Sequence, residues 1–189
     1  MKIIALDIGN VCIHITPERC AEALGYPVSV GIPESFMGSV DKLERNLISE
    51  QQWLADFHKV TENKFSDDEL RLAYNKVLGE EKEGIKEFLQ QKTEEGCRII
   101  FFSDTSEVHI NSIFRNLSFA NLITGGVYSF DMGAKKPEPG MYEEFEKKFG
   151  IPDLYLDDKP ENIAAGKERG WTSFVFTETD KLIQDLSKI

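Results

Sequence analysis

The chain has 189 residues, 41% of them apolar and 29% charged, which suffices for one domain with a filled core, or a core carrying a small insertion. Its formal net charge of −11 argues against nucleic acid and anionic membrane surfaces as partners, because each needs a basic face to neutralise phosphates. A small anionic substrate is compatible with that charge only in a pocket made locally positive by a metal ion, a lysine or a helix N-terminus. The amino terminus begins with the apolar run at 2–7, which turns charged and polar too soon for a signal peptide or a spanning helix; a cytoplasmic protein, monomer or homodimer, is expected. This run reads as a buried strand that ends in Asp7 and opens into Ile8-Gly9-Asn10-Val11.

From Pro17 onward the text is helical. Pro17 to Leu24 stops at Gly25; Pro33 to Leu47 and Ser49 to Val60 follow; Ser66 to Leu78 ends at Gly79. Ser49 with Gln52, and Ser66 with Glu69, have the capping-box spacing. No strand is expected in this stretch. Glu83 to Glu95 forms a further helix that closes at Gly96 and leads into a second apolar run, 98–103. A helix over 106–116, capped beside Thr105-Ser106, precedes a third run at 122–128. A fourth run at 153–157 leads to a helix from Pro160 to Arg169, with Gly170 just past its end, and a fifth occupies 172–176.

The five runs lack clean polar alternation, as expected of parallel strands covered on both faces. The fold class that follows is α/β: a doubly wound, Rossmann-like parallel sheet of about five strands, built from 1–15 and 85–189, with a small α-helical cap at 16–84 inserted after the first strand. An insertion there stands over the carboxyl ends of the strands, where open α/β sheets place ligands. The three cysteines are odd in number and lack the paired spacing of a zinc site; Cys12 and Cys97 lie in or beside apolar runs, and reduced buried thiols are expected.

Four fragments carry chemistry. Asp7 follows the first strand, Ser103-Asp104-Thr105 the second, Lys136-Pro137 lies in a loop after the third, and Asp157-Asp158 follows the fourth. Singly, each has an ordinary reading as a turn residue or helix cap. Together they are complementary. Asp7, Asp157 and Asp158 cannot all stay ionised in one small site without an offsetting charge. A hard divalent cation such as Mg²⁺ supplies it and suits carboxylates, a backbone carbonyl, waters and a phosphate oxygen. Adjacent strand residues point to opposite sides, so Asp157 and Asp158 should differ in role. Ser103 and the start of the next helix could donate to a phosphate, and Lys136 supplies a fixed positive charge.

The wording of these fragments resembles the four motifs of the haloacid dehalogenase superfamily of phosphohydrolases. Asp7-Ile8-Gly9-Asn10-Val11 is similar to the first, Ser103-Asp104-Thr105 to the second, Lys136-Pro137-Glu138-Pro139 to the third, and Leu156-Asp157-Asp158-Lys159-Pro160-Glu161-Asn162 to the fourth. Gly133-Ala134-Lys135-Lys136-Pro137 with Tyr142, and Asp-Asp-x-x-x-Asn, resemble the glucose-1-phosphate phosphatase-like subgroup. The resemblance implies a Mg²⁺-dependent phosphatase of a small phosphorylated metabolite, a sugar phosphate among the candidates, working through an aspartyl-phosphate. It implies Asp7 as nucleophile and metal ligand, the Gly9 carbonyl and Asp158 as further ligands, and Asp157 as a partner of the metal through its surroundings. Ser103, Asp104 and Lys136 would border the phosphate. A dehalogenase, or a binding protein that has lost turnover, are the alternatives.

Two positions depart from the family pattern. The residue two past the nucleophile, commonly an aspartate that protonates the departing oxygen, is Gly9, and Asp104 stands where asparagine is usual. Asp104 or His14 could replace the missing acid; the plainer readings are Asp104 as a helix cap and His14 as a half-buried strand or loop residue.

Overall fold

The computed structural model of the chain describes residues 2–27 and 34–187. Five parallel strands, β1 (Ile3–Leu6), β4 (Arg98–Ser103), β5 (Ile123–Tyr128), β6 (Leu154–Asp157) and β7 (Ser173–Val175), form one sheet in the order β5-β4-β1-β6-β7. The strands following β1 in this sheet are added first on one side of it and then on the other. The order therefore reverses at β1, and a crevice opens beyond its carboxyl end. Leu6 is level with Phe101 on one side and Leu156 on the other, so Asp7 emerges level with Phe102 and Asp157.

Alternate side chains enter opposite layers. Ile4, Leu6, Ile99 and Phe101 pack against α5 (Ile85–Glu94) and α6 (Glu107–Asn116). Ala5, Ile100, Phe102 and Tyr155 face α8 (Pro139–Phe149) and α9 (Pro160–Glu168), where Tyr142, Phe145 and Trp171 enclose the Phe102 ring. Two buried faces explain the missing polar alternation. The short α7 (Ser129–Met132) follows β5, and α10 (Thr179–Leu186) closes the described chain. The three cysteines are buried and unpaired.

Between β1 and β4, α1 (Glu18–Ala23), α2 (Glu34–Glu44), α3 (Glu50–Val60) and α4 (Asp67–Asn75) pack about an apolar cluster of their own, centred on Phe36, Trp53, Phe57 and Tyr74. Both capping boxes form: Ser49 and Ser66 accept the N–H of Gln52 and Glu69, whose side chains return to the backbone of each serine. Pro33, the expected start of the second of these helices, lies outside the described residues.

Two expectations are corrected here. Ile13–Ile15 (β2) and Leu78–Glu81 (β3) form an antiparallel ribbon that leads into and out of the helical segment, although no strand was expected there. The fourth helix ends at Asn75 rather than Leu78. Gly79, which reads as a helix terminator, instead permits the close approach of the two strands: a Cβ there would lie 2.9 Å from the His14 carbonyl oxygen. Strands this short, in the text Ile-His-Ile and Leu-Gly-Glu-Glu, give too little pattern to be read.

Candidate active site

The loops after β1, β4 and β6, the loop before α8 and the helical segment enclose a cavity of about 330 Å³. On its floor Lys136, its side chain 1% exposed, donates from Nζ to Asp7 Oδ1 (2.8 Å), Asp157 Oδ2 (2.6 Å) and the Phe102 carbonyl (2.7 Å). All three ammonium hydrogens are thereby used. The Lys136-Pro137 peptide is cis, and the Lys136 N–H donates to Asp104 Oδ1 at 2.9 Å. The lysine is buried among carboxylates: burial alone would lower its affinity for a proton, but Asp7, Asp157 and Asp104 more than reverse this and keep it charged.

The two carboxylates on Lys136 are unequal. Burial pushes the Asp7 carboxyl up to about 7 against the charge of Lys136, with Asp157 adding to the rise. Burial also opposes ionisation of Asp157, but Lys136 and the hydrogen bonds it receives hold it below the usual range. The difference lies in the donors. Asp157 accepts from Lys136, from the Tyr155 hydroxyl (2.6 Å), from the Lys159 N–H (2.9 Å) and from Asn162 Nδ2 at 3.0 and 3.1 Å. Asp7 Oδ2 accepts from no side chain among the described residues. Asn162 is itself placed by Tyr142, whose hydroxyl donates to the Asn162 carbonyl at 2.8 Å. The Asp-Asp-x-x-x-Asn spacing has a physical reason: the first turn of α9 returns an amide onto the carboxylate ending β6.

Asp158, the next residue, faces the cavity and accepts from Asn10 Nδ2 at 3.1 Å. Asn10 has φ of 55°, a left-handed conformation that asparagine tolerates, and its Oδ1 accepts the Ile15 N–H at 3.2 Å. One side chain thus ties the turn after β1 to β2 and to Asp158. Asp7, Asp157 and Asp158 each offer an oxygen within 4.8 Å of the others. Gly9 lines the same cavity, and its carbonyl accepts no hydrogen bond among the described residues.

On the opposite side, Ser103 ends β4, is buried, and lines the cavity without a side-chain hydrogen bond among the described residues. The turn after it is fixed by Ser129, whose hydroxyl accepts the Thr105 N–H and donates to the Thr105 carbonyl, both at 2.9 Å. That N–H is therefore unavailable to a ligand. Asp104 is not the cap of α6; Ser106 is, accepting the His109 N–H at 3.3 Å. Asp104 instead holds the Lys136 backbone, and burial raises its carboxyl above the usual range despite Lys136. His14 is exposed on β2 and borders a different depression, with Lys82 and Thr177.

No motif or spacing in the chain announces the cavity's other wall. Phe36, Met37 and Val40 of α2, Val77 after α4, and Ile15 and Leu78 of the ribbon line it, with Tyr74, Glu44 and His109. Glu44 is paired with Lys135 at 2.7 Å, which also binds Asp41 at 2.8 Å; Arg45 meets Glu138 at 2.7 Å. His109 stacks on Tyr74 with ring centres 3.9 Å apart, and its Nε2 lies 3.2 Å from the Tyr74 carbonyl. Because a carbonyl only accepts, Nε2 carries the proton. Burial pushes this imidazole down to about 4, so it is neutral.

Residues 1–170 match the family model of haloacid dehalogenase-like hydrolases. Flavin mononucleotide hydrolase 1 of Arabidopsis thaliana is 26% identical over 110 residues, spanning 57% of this chain and 44% of that protein, so the chain accounts for less than half of its relative's length. An enzyme of the same family from Bacteroides thetaiotaomicron, solved with magnesium and inorganic phosphate, superposes with a TM-score of 0.78 at 21% identity over 93% of both chains. A family hydrolase of Porphyromonas gingivalis has the same TM-score, 0.78, at 18% identity, covering 100% of this chain and 97% of the other.

Proposed function

Because the chain belongs to the haloacid dehalogenase-like hydrolases, we propose that it is a Mg²⁺-dependent phosphohydrolase of a small phosphorylated metabolite, working through an aspartyl-phosphate on Asp7. The observation that carries the proposal is the asymmetry of the carboxylates around Lys136. Asp157 is occupied by four donors, Lys136 among them, whereas Asp7, which lines the cavity, has no hydrogen bond to Oδ2 among the described residues. A carboxylate with one oxygen neutralised and one free is suited to attack.

The groups beside Asp7 that could ligate a cation are all oxygen, which fits Mg²⁺. Asp7, Asp158 and the Gly9 carbonyl would hold it, with Asp157 acting on the ion indirectly through Lys136. The magnesium and phosphate bound by the Bacteroides enzyme support this assignment. When bound, the ion would offset the crowding of Asp7 by Asp157 and Asp158 and draw off negative charge from the phosphate. Asp7 attacks phosphorus, forming the acyl-phosphate bond, while the ester P–O bond breaks and its electron pair leaves with the departing oxygen. Ser103 donates to a transferring oxygen, and Lys136, whose three hydrogens are held by Asp7, Asp157 and the Phe102 carbonyl, supplies a fixed positive charge beneath it. Water then attacks phosphorus, releasing inorganic phosphate and restoring the Asp7 carboxylate.

The helical segment at 16–84 acts in this reading as a cap: ion pairs of Lys135 and Arg45 tie the α2 region to the loop bearing Lys136, so the placements of the two are coupled. The test is phosphate release from phosphorylated metabolites, flavin mononucleotide included, with and without Mg²⁺, followed by acid-quench trapping. Label should appear on Asp7, and Asp7→Asn should keep the fold and lose turnover. Full activity in Asp7→Asn, or phosphate on Ser103, would overturn the mechanism.

A further inference from the structure

Two independent features of the cavity bear on what leaves when phosphate is transferred. The first is steric. Gly9 has no side chain, and a Cβ built on it lies 3.2 Å from Ile15 Cγ1 and 4.0 Å from Asp7 Oδ2. A side chain at position 9, beside the nucleophile, would therefore crowd the isoleucine of the ribbon. Three of the other titratable groups lining the cavity, which also include Asp158, Lys159 and Tyr74, are held by protein partners. Glu44 is bound to Lys135, Asp104 holds the Lys136 N–H, and the neutral His109 spends its one proton on the Tyr74 carbonyl. His14 does not border the cavity.

The second feature is the chemistry of the wall facing Asp7. Phe36, Met37, Val40, Val77, Leu78 and Ile15 form it. Tyr74 also lines the cavity, and its buried hydroxyl is a polar atom there without a hydrogen-bond partner among the described residues. A sugar binds through hydrogen bonds to its hydroxyls, and groups buried without such partners are costly. This wall has few free donors or acceptors among the described residues. A flat apolar body, by contrast, would replace water over the whole of it.

Taking the phosphohydrolase reading as its premise, we infer that the substrate is an aryl phosphate: a compact aromatic phosphomonoester whose ring rests on the Phe36, Met37 and Val40 wall and whose oxygen departs without protonation by the protein. The ester P–O bond breaks, the aryl oxide carries away the electron pair, and its proton comes later from water. The cavity, near the lower end of the range of roughly 300–1,000 Å³ for small-molecule sites, suits one or two rings with a phosphate and excludes a polymer.

The test measures kcat/KM with Mg²⁺ for ring-substituted phenyl phosphates, 2-naphthyl phosphate, acetyl phosphate, methyl phosphate, glucose 1-phosphate and flavin mononucleotide. Loss of a general acid typically costs about 10²–10⁴ in rate. The phenyl and naphthyl esters should therefore exceed methyl phosphate and flavin mononucleotide, both alkyl esters, by at least about 100-fold. Rate should rise steeply with acidity of the leaving phenol, and 2-naphthyl phosphate should exceed both acetyl phosphate and glucose 1-phosphate. Val40→Asn should raise KM for 2-naphthyl phosphate more than for acetyl phosphate. Glucose 1-phosphate or flavin mononucleotide equal to the aryl esters, or a flat dependence on leaving-group acidity, would overturn the inference while leaving the phosphohydrolase standing. Release of phosphate from none of them would overturn the phosphohydrolase reading itself.

Discussion

The floor and the roof of the cavity are built on opposite principles. On the floor, Lys136, Asp157, Asn162 and Tyr155 form a buried polar network in which nearly every donor and acceptor is used. On the roof, α2 and the ribbon present hydrocarbon, and the charges there are paired at the rim. A satisfied network fixes positions and tolerates little change; an apolar wall constrains shape and excludes water without dictating one partner. In the proposed reaction, therefore, the floor would set the chemistry and the roof would set what the phosphate is attached to.

The sharpest way to break this division is Lys136→Met. Removing one member of a buried charge network typically costs about 3–5 kcal/mol, because the remaining charges are left uncompensated. Asp7 and Asp157 would then face each other without the ammonium between them. The expected outcome is a fall in denaturation free energy of that size together with loss of turnover. A variant that keeps wild-type stability would show that the floor is not held by this lysine.

The two aspartates ending β6 separate structure from metal. Asp157→Asn should cost about 2–4 kcal/mol, since it removes a charge that receives hydrogen bonds from four groups. Asp158→Ala should leave stability nearly unchanged and raise the Mg²⁺ concentration needed for half activity, or abolish the response. Mg²⁺ titrations and denaturant melts on both variants decide it; equal Mg²⁺ responses would mean that the cation is held elsewhere.

What was legible in the sequence follows the same line. Asp7, Ser103 and Asp157 end apolar runs, and parallel strands deliver such ends to one edge, so their convergence can be read from the text. Lys136 is legible by its motif. The supports are less so: Ser129 and Tyr155 act through contacts that no spacing announces, and Asn10 earns its role through a left-handed turn and β2, a strand too short to be read. The roof is least legible of all. Phe36, Met37 and Val40 carry the same helical stripe whether a helix covers a core or borders a cavity, and here α2 does both.

His109 sits where floor and roof meet, and its pH dependence tests that contact. Folding holds its imidazole neutral, pushed down to about 4 by burial, while in the unfolded chain it returns to the ordinary value of 6.5. Below that value the unfolded chain takes up the proton first. The contribution is thus complete above pH 6.5 and is lost as pH falls towards 4, by roughly 3 kcal/mol in total. His109→Gln keeps a donor for the Tyr74 carbonyl and cannot titrate. Between pH 7 and 4.5 the unmodified protein should lose about 2–3 kcal/mol more than the variant, measured by denaturant melts. Parallel losses would mean that the imidazole is protonated in the folded state.

The smallest expected effect lies at the rim. Lys135 bridges Asp41 and Glu44, but Asp41 is 48% exposed, and solvent screens the pair. Glu44 is only 18% exposed, so Lys135→Ala should cost about 1–2 kcal/mol in all, and a double-mutant cycle with Glu44→Gln should give a coupling of that order or less. The consequence for binding is larger than the consequence for stability. Glu44 is largely buried at the edge of the cavity, and burial already raises its carboxyl against the pull of Lys135. Without the lysine, any ionised Glu44 faces an incoming phosphate. KM should rise while kcat is little changed, and Lys135→Ala/Glu44→Gln should restore KM. In 1 M salt, where the Debye length falls to about 3 Å, the difference should shrink. A KM that does not respond to Lys135→Ala would place the phosphate path away from this rim, on the side of Lys159 and Asn10.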